Sequence, residues 1–154
     1  MRIVLVSMSL VILTAYIVIF VSFHGIPPSL SESYYHIKHK ALFSLTLVMS
    51  GGLIIIPWIE LSQRAEGLAF LSVAALMFVA ASPQFKESLS REVHYVSAGI
   101  MAVASISWEL LNWGLWLPLV AFLIIGICNR RNIVFWVEVG LMLDVCSSLI
   151  AYLL

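Results

Sequence analysis

The sequence predicts an all-α protein, a polytopic bundle of about six transmembrane helices with a short amphipathic interfacial helix in the first loop, forming one domain over residues 1–154. Three observations carry this. The chain is 62% hydrophobic and only 10% charged, with a mean hydropathy of +1.08, whereas soluble domains are about half apolar and about a quarter charged. Six apolar stretches follow one another at or near the length a bilayer requires, about 20 residues each. The connections between them are too short to hold a soluble domain. Formal net charge is zero, so no basic field points to nucleic acid.

The six stretches are residues 3–23, 41–59, 68–82, 93–111, 115–128 and 133–154. The first follows Arg2 and imitates a signal peptide. It is longer than the usual hydrophobic region of about 7–15 residues, and the residues from Phe20 to Gly25 make a poor cleavage site. It reads as an uncleaved helix. The second carries Gly51, Gly52 and Pro57; Pro57 removes a backbone donor and is expected to bend the helix. The third is short and rich in Ala and Ser, residues that let backbones approach closely in lipid. The fifth is shorter still and reaches span length only with Trp113 and Gly114, so a count of five with one re-entrant segment is the alternative.

Basic residues set the orientation. Lys38 and Lys40 fall in the first loop, Lys86 and Arg91 in or beside the third, Arg130 and Arg131 in the fifth; only Arg2 and Arg64 fall on the other side. The positive-inside rule then puts loops 1, 3 and 5 in the cytoplasm and both termini outside. Trp58, Trp108, Trp113 and Trp116 fall near the outer helix ends, and Tyr34, Tyr35 and Tyr95 near the inner face, as interfacial aromatics do. Cys128 and Cys146 lie in apolar stretches and form no CxxC pair; they read as buried thiols.

The first loop is the most distinctive segment. Pro27 and Pro28 stop the first helix, and Ser29 or Ser31 can cap a short amphipathic helix behind them. His36 and His39 are three apart and would share a face of it, a spacing that can share a metal; the alternative is an interfacial helix whose His, Lys and Tyr side chains reach into headgroups. His94 and Ser97 share a face of the fourth stretch, which Ser105 continues eleven residues on from His94. His94 falls on the same membrane side as His36 and His39, so these three histidines are the metal candidates, with zinc the metal their chemistry suits.

The last stretch holds Glu138 and Asp144. Asp144 is near mid-span, where a carboxylate costs a few kcal/mol and must be neutral, paired or beside water. Glu138 is six residues earlier and about 120° away around the helix, so the two do not form one site from spacing alone. Glu109 falls near the outer end of the fourth stretch. His94, Ser97, Asp144 and Glu138 are therefore the candidate polar site. No G-x-S-x-G, H-E-x-x-H, P-loop or cysteine cluster is present.

The segments from Gly25 to Tyr35 (GIPPSLSESYY), Ala81 to Lys86 (ASPQFK) and Val93 to Ala98 (VHYVSA) resemble a group of short uncharacterised multi-spanning membrane proteins of Bacteroidetes and their phages. That resemblance covers most of the chain and implies no activity. A looser one, carried by Ser97, His94 and Asp144, is to the membrane hydrolases that include alkaline ceramidases and adiponectin receptors. It implies a zinc site of Ser, Asp and three His at the cytoplasmic side of seven helices. This chain departs from it: the last stretch has no H-x-x-x-H pair, six helices are expected, and Asp144 is in the last of them.

Three functions stay open. With no complete catalytic constellation, the first is a non-enzymatic accessory or small-ligand-binding bundle. The second is a metal-dependent intramembrane hydrolase using His36, His39, His94 and Asp144. The third is a proton- or ion-coupled transport subunit resting on Asp144 and Pro57. The expected partners are the lipid bilayer and a second copy or another membrane protein.

Overall fold

Pro27 and Pro28 do follow the end of a first long helix, α1 (Arg2–His24), in the computed structural model, which describes every residue except Phe85, Glu87, Trp113 and Leu115. The segment from 30 to 36 forms a single 3-10 turn, Leu30–Glu32, running into α2 (Ser33–His36). The remaining long helices are α3 (Ala41–Leu61), α4 (Glu66–Ala81), α5 (Ser88–Asn112), α6 (Leu117–Cys128) and α7 (Ile133–Leu153). Among the described residues there are thus six long helices and one short loop helix, and no strand. The interfacial role of Trp113, the start of the fifth stretch at Leu115 and the Phe85 position of the ASPQFK segment fall outside the described residues.

Three helical segments, Arg2–His24, Ala41–Leu61 and Arg130–Leu153, are long and apolar enough to cross a membrane. The burial pattern fits lipid as the solvent. Small polar residues point inward: Ser9, Ser50, Ser72, Ser97, Ser105 and Ser148 are all buried. Large apolar residues point outward, among them Val11, Ile19, Ile56, Phe70, Phe78, Leu117 and Ile124. A soluble fold has the reverse arrangement. Inward hydroxyls also tie helices together where the hydrophobic effect cannot: Ser9 Oγ on α1 lies 2.6 Å from Ser50 Oγ and donates to the Ser50 carbonyl on α3.

The helices α1, α3, α4, α5 and α7 pack in a closed ring, each on the next, with α7 returning to α1; α6 lies against α7. The α6–α7 approach is close because Gly140 has no side chain: a β-carbon there would stand 2.7 Å from Phe122 Cβ. Helix α6 has 12 residues, about 18 Å, against a hydrocarbon core of about 30 Å. Its first turn therefore starts inside the depth spanned by its neighbours.

Three local expectations need correction. Of the two cysteines read as buried thiols, Cys146 is buried and Cys128, at the end of α6, is exposed. Trp58 and Trp108 are not interfacial anchors. They are 3% and 0% exposed and meet edge to face, ring centroids 5.5 Å apart, with the Trp108 indole N–H donating to Ser62 Oγ. Tyr34 is likewise buried, against Phe43. The loop-one helix does not carry His36 and His39 on one face either: α2 ends at His36, and Ile37 is extended.

Candidate functional site

The buried polar groups gather in two clusters, one at each end of α5. The first is built from loop one. Ser29 caps the 3-10 turn, its Oγ accepting the Glu32 N–H at 3.2 Å, so the turn satisfies its own donor and leaves its other residues free to bond outward. The Leu30 N–H donates to Glu138 Oε2 on α7 at 2.7 Å. Ser31 Oγ lies 3.0 Å from His94 Nε2 on α5. Glu32 pairs with Lys86 at 2.8 Å, and Ser33 Oγ meets the Tyr16 hydroxyl of α1 at 2.5 Å. Four consecutive residues thus reach four different parts of the chain. The Glu32 carboxylate beside Lys86 holds that exposed ammonium above its usual value.

His94 is fixed from both sides. Its Nδ1 lies 3.0 Å from the Ser82 carbonyl oxygen, which can only accept, so Nδ1 carries the hydrogen. Nε2 is then an acceptor, and the Ser31 hydroxyl donates to it. A hydroxyl bonded to an imidazole whose other nitrogen is held by an acceptor is the arrangement of a nucleophile and its base. Ser31 is 6% exposed and His94 3%, so the hydroxyl is covered unless loop one moves.

His36 and His39 do not join this cluster. Both are exposed, and His36 turns its ring to Phe20. Among the described residues no three His, Cys, Asp or Glu side chains lie where they could hold one metal ion. The residues present therefore do not fit the zinc ion implied by the histidine pattern, because α2 stops too early to align His36 with His39 and His94 is engaged by Ser31 and Ser82.

The second cluster lies toward the other end of α5. Asp144 and Glu109 are both 0% exposed. Asp144 Oδ1 accepts the Leu119 N–H at 3.3 Å. Leu119 is in the first turn of α6, whose N–H groups have no partner within their own helix; a carboxylate from α7 satisfies one of them and faces the positive end of the helix dipole. Glu109 Oε2 accepts from Ser148 Oγ at 2.9 Å, one helical turn beyond Asp144 on α7. Glu109 thus reaches α7 one helical turn from Asp144. Asp144 Oδ2 and Glu109 Oε1 have no hydrogen-bond partner among the described residues. The chain covers Glu109 by turning back at Gly114, whose N–H donates to the Glu109 carbonyl at 3.0 Å; a β-carbon at Gly114 would collide with the Glu109 carboxylate.

Between the clusters runs the buried face of α5, through Ser97, Met101, Ser105 and Trp108. Ser105 lines a cavity of about 40 Å³, together with Ser50 of α3, Ser72 of α4 and Cys146 of α7. At roughly 10–15 Å³ per water, such a space takes about three or four.

Of the four residues of the polar site expected from sequence, loop one joins His94 and Glu138 through the adjacent residues Leu30 and Ser31, while Asp144 belongs to the other cluster. Ser97 is buried on α5 between them. Sequence reasoning named Glu109 but left it out of the site, read Ser31 only as a cap, and passed over Ser148. A signal for Glu109 existed, since it lies one turn beyond Ser105 on the stripe that starts at His94. Ser31 carries no such local signal; its partner is 63 positions away. No family model, curated protein or solved structure matches this chain.

Proposed function

We propose that the chain is a non-enzymatic membrane bundle that binds a small cationic ligand in its interior, at Glu109 and Asp144. One observation carries the reading: two fully buried acids meet α7 one helical turn apart, Glu109 through its bond to Ser148, and each has an oxygen with no partner among the described residues. An isolated ionised carboxylate in a low-dielectric interior costs several kcal/mol, and a buried unsatisfied acceptor costs about 1–3 kcal/mol. A positive ligand at the pair offsets both. In this proposal the bundle sits in a bacterial inner membrane with loops 1, 3 and 5 in the cytoplasm, which puts the acid pair in the outer half and His94 at the inner end. The support is the charge asymmetry of the loops and the resemblance to short membrane proteins of Bacteroidetes.

The test is thermal unfolding of detergent-purified protein, wild type beside Asp144→Asn, over a pH series and with lithium, sodium and potassium chloride. The expected result is a midpoint that moves in the wild type with protons or one of these cations, beyond any movement in the variant. Identical responses under every condition would contradict the proposal.

The bond between Ser31 and His94 favours a second reading, hydrolysis at the cytoplasmic face. The Ser31 hydroxyl would attack an acyl carbonyl and pass its proton to His94 Nε2, which gives it to the leaving group as the acyl bond breaks; a water then cleaves the Ser31 ester, releasing the acid and restoring the hydroxyl. A fluorophosphonate probe tests it: labelling of Ser31 that disappears in His94→Ala supports this reading, and an unlabelled wild-type Ser31 removes it.

A further inference from the structure

Resting on the reading of Glu109 and Asp144 as a cation-binding pair, we infer that the cation is a single proton, carried on Glu109 while Asp144 keeps its negative charge. The two acids have different surroundings. Asp144 faces the first turn of α6 and accepts the Leu119 N–H, a setting that favours an anion. Glu109 meets a neutral hydroxyl, Ser148, and the wall formed by Gly114. Two adjacent carboxylates in a water-poor interior cannot both stay charged, and the helix end decides which one does.

The coordination available argues against a metal cation. Calcium and magnesium take about six to eight oxygen ligands. The pair offers two free oxygens, Asp144 Oδ2 and Glu109 Oε1; the groups bonded to the other two, Leu119 N–H and Ser148 O–H, are donors here. Neither acid lines the cavity at Ser105, and Gly114 packs against Glu109 too closely for a side chain. A proton needs no coordination shell and no volume.

The other titratable or charged groups near the pair are few. On α7 they are Tyr152, which interacts with Glu109 and stacks edge-on to Trp108, and the buried Cys146. At the α3–α4 turn the Arg64 backbone bonds Asn112, with its side chain exposed. From α1 and α3, Arg2 and Glu60 pair with each other at the surface. From α4, Glu66 is exposed, and the described residues of α6 carry no ionisable group before Cys128 at its far end. No cation from any of these elements is shown bonded to either acid. Along α5, Ser105 lies one turn from Glu109 and lines the cavity with Ser50, Ser72 and Cys146.

Trp108, one of five tryptophans, adjoins Glu109 in sequence and is fully buried, and comparison with the variants identifies the part of the tryptophan fluorescence change that belongs to the pair. The experiment is a pH titration of wild type, Glu109→Gln, Asp144→Asn and Ser148→Ala in detergent, repeated with sodium, potassium and calcium chloride. The expected wild-type curve has a one-proton transition that these salts leave in place. It disappears in Glu109→Gln and shifts in Asp144→Asn, which removes the neighbouring charge, and in Ser148→Ala, which keeps both acids and so serves if the acid variants do not fold. A transition that one of the metal cations competes away overturns the proton and leaves the cation-binding reading standing. A transition unchanged in all three variants, with no effect of any salt, overturns both.

Discussion

Asp144, near the middle of α7, meets the first turn of α6. The carboxylate on α7 serves as a cap for α6, supplied from a different helix. Replacing it with Asn keeps an acceptor for the Leu119 N–H; replacing it with Ala leaves that donor bare. Asp144→Ala is therefore expected to lower stability by about 0.5–2 kcal/mol more than Asp144→Asn does, the usual worth of an N-terminal cap. Thermal unfolding of the two variants side by side measures it, and equal losses would contradict the capping role. Ser31 and His94 invite a similar comparison. Each single alanine variant leaves a buried polar group unpaired, at about 1–3 kcal/mol. The double variant should lose less than the sum, because the second change removes the group orphaned by the first. A strictly additive double variant would mean the two side chains do not support each other.

At the scale of elements, much was legible. Apolar run length gave all the long helices, and the third and fifth stretches read as short are α4, of 16 residues, and α6, of 12. The proline pair and the serine cap of loop one also follow from local chemistry. What the sequence could not show depends on long-range contact. Glu109 reads only as an acid near a helix end, and its burial against Ser148 of α7 and Gly114 depends on how the chain folds back. Trp58 and Trp108 read as interfacial for the same reason, since ring position along a helix says nothing of which way the ring faces. His36 and His39 depended on the length of α2, and helix ends are where sequence patterns are weakest. The α6–α7 contact offers an element-scale test. Gly140→Ala forces α6 away from α7 at Phe122, and overpacking of this kind costs about 1–3 kcal/mol. It should also loosen the Leu119 bond to Asp144, so in this background the difference between Asp144→Ala and Asp144→Asn is expected to shrink. An undiminished difference would show that the cap does not depend on the close approach at Gly140.

For the whole molecule, the proposed topology puts Lys38 and Arg64 on opposite sides of the membrane. With Cys128 and Cys146 replaced by Ser, Arg64→Cys should react with an impermeant maleimide in intact spheroplasts, and Lys38→Cys only after permeabilisation. The reverse pattern would invert the bundle and place the acid pair in its inner half. Both ends of α5 are tied to other elements, at the loop-one end through His94 and at the other through Glu109, so the helix couples two buried polar clusters that lie on opposite sides of a serine-lined cavity. Whether the bundle holds a cation inside is decided at Glu109. Infrared spectroscopy of the detergent-purified protein reads the protonated carboxyl directly, through the C=O stretch that an ionised carboxylate lacks. A protonated-carboxyl band present in the wild type, retained in Glu138→Gln and lost in Glu109→Gln, is the expected result; a spectrum in which Glu109→Gln leaves that band unchanged would contradict the account.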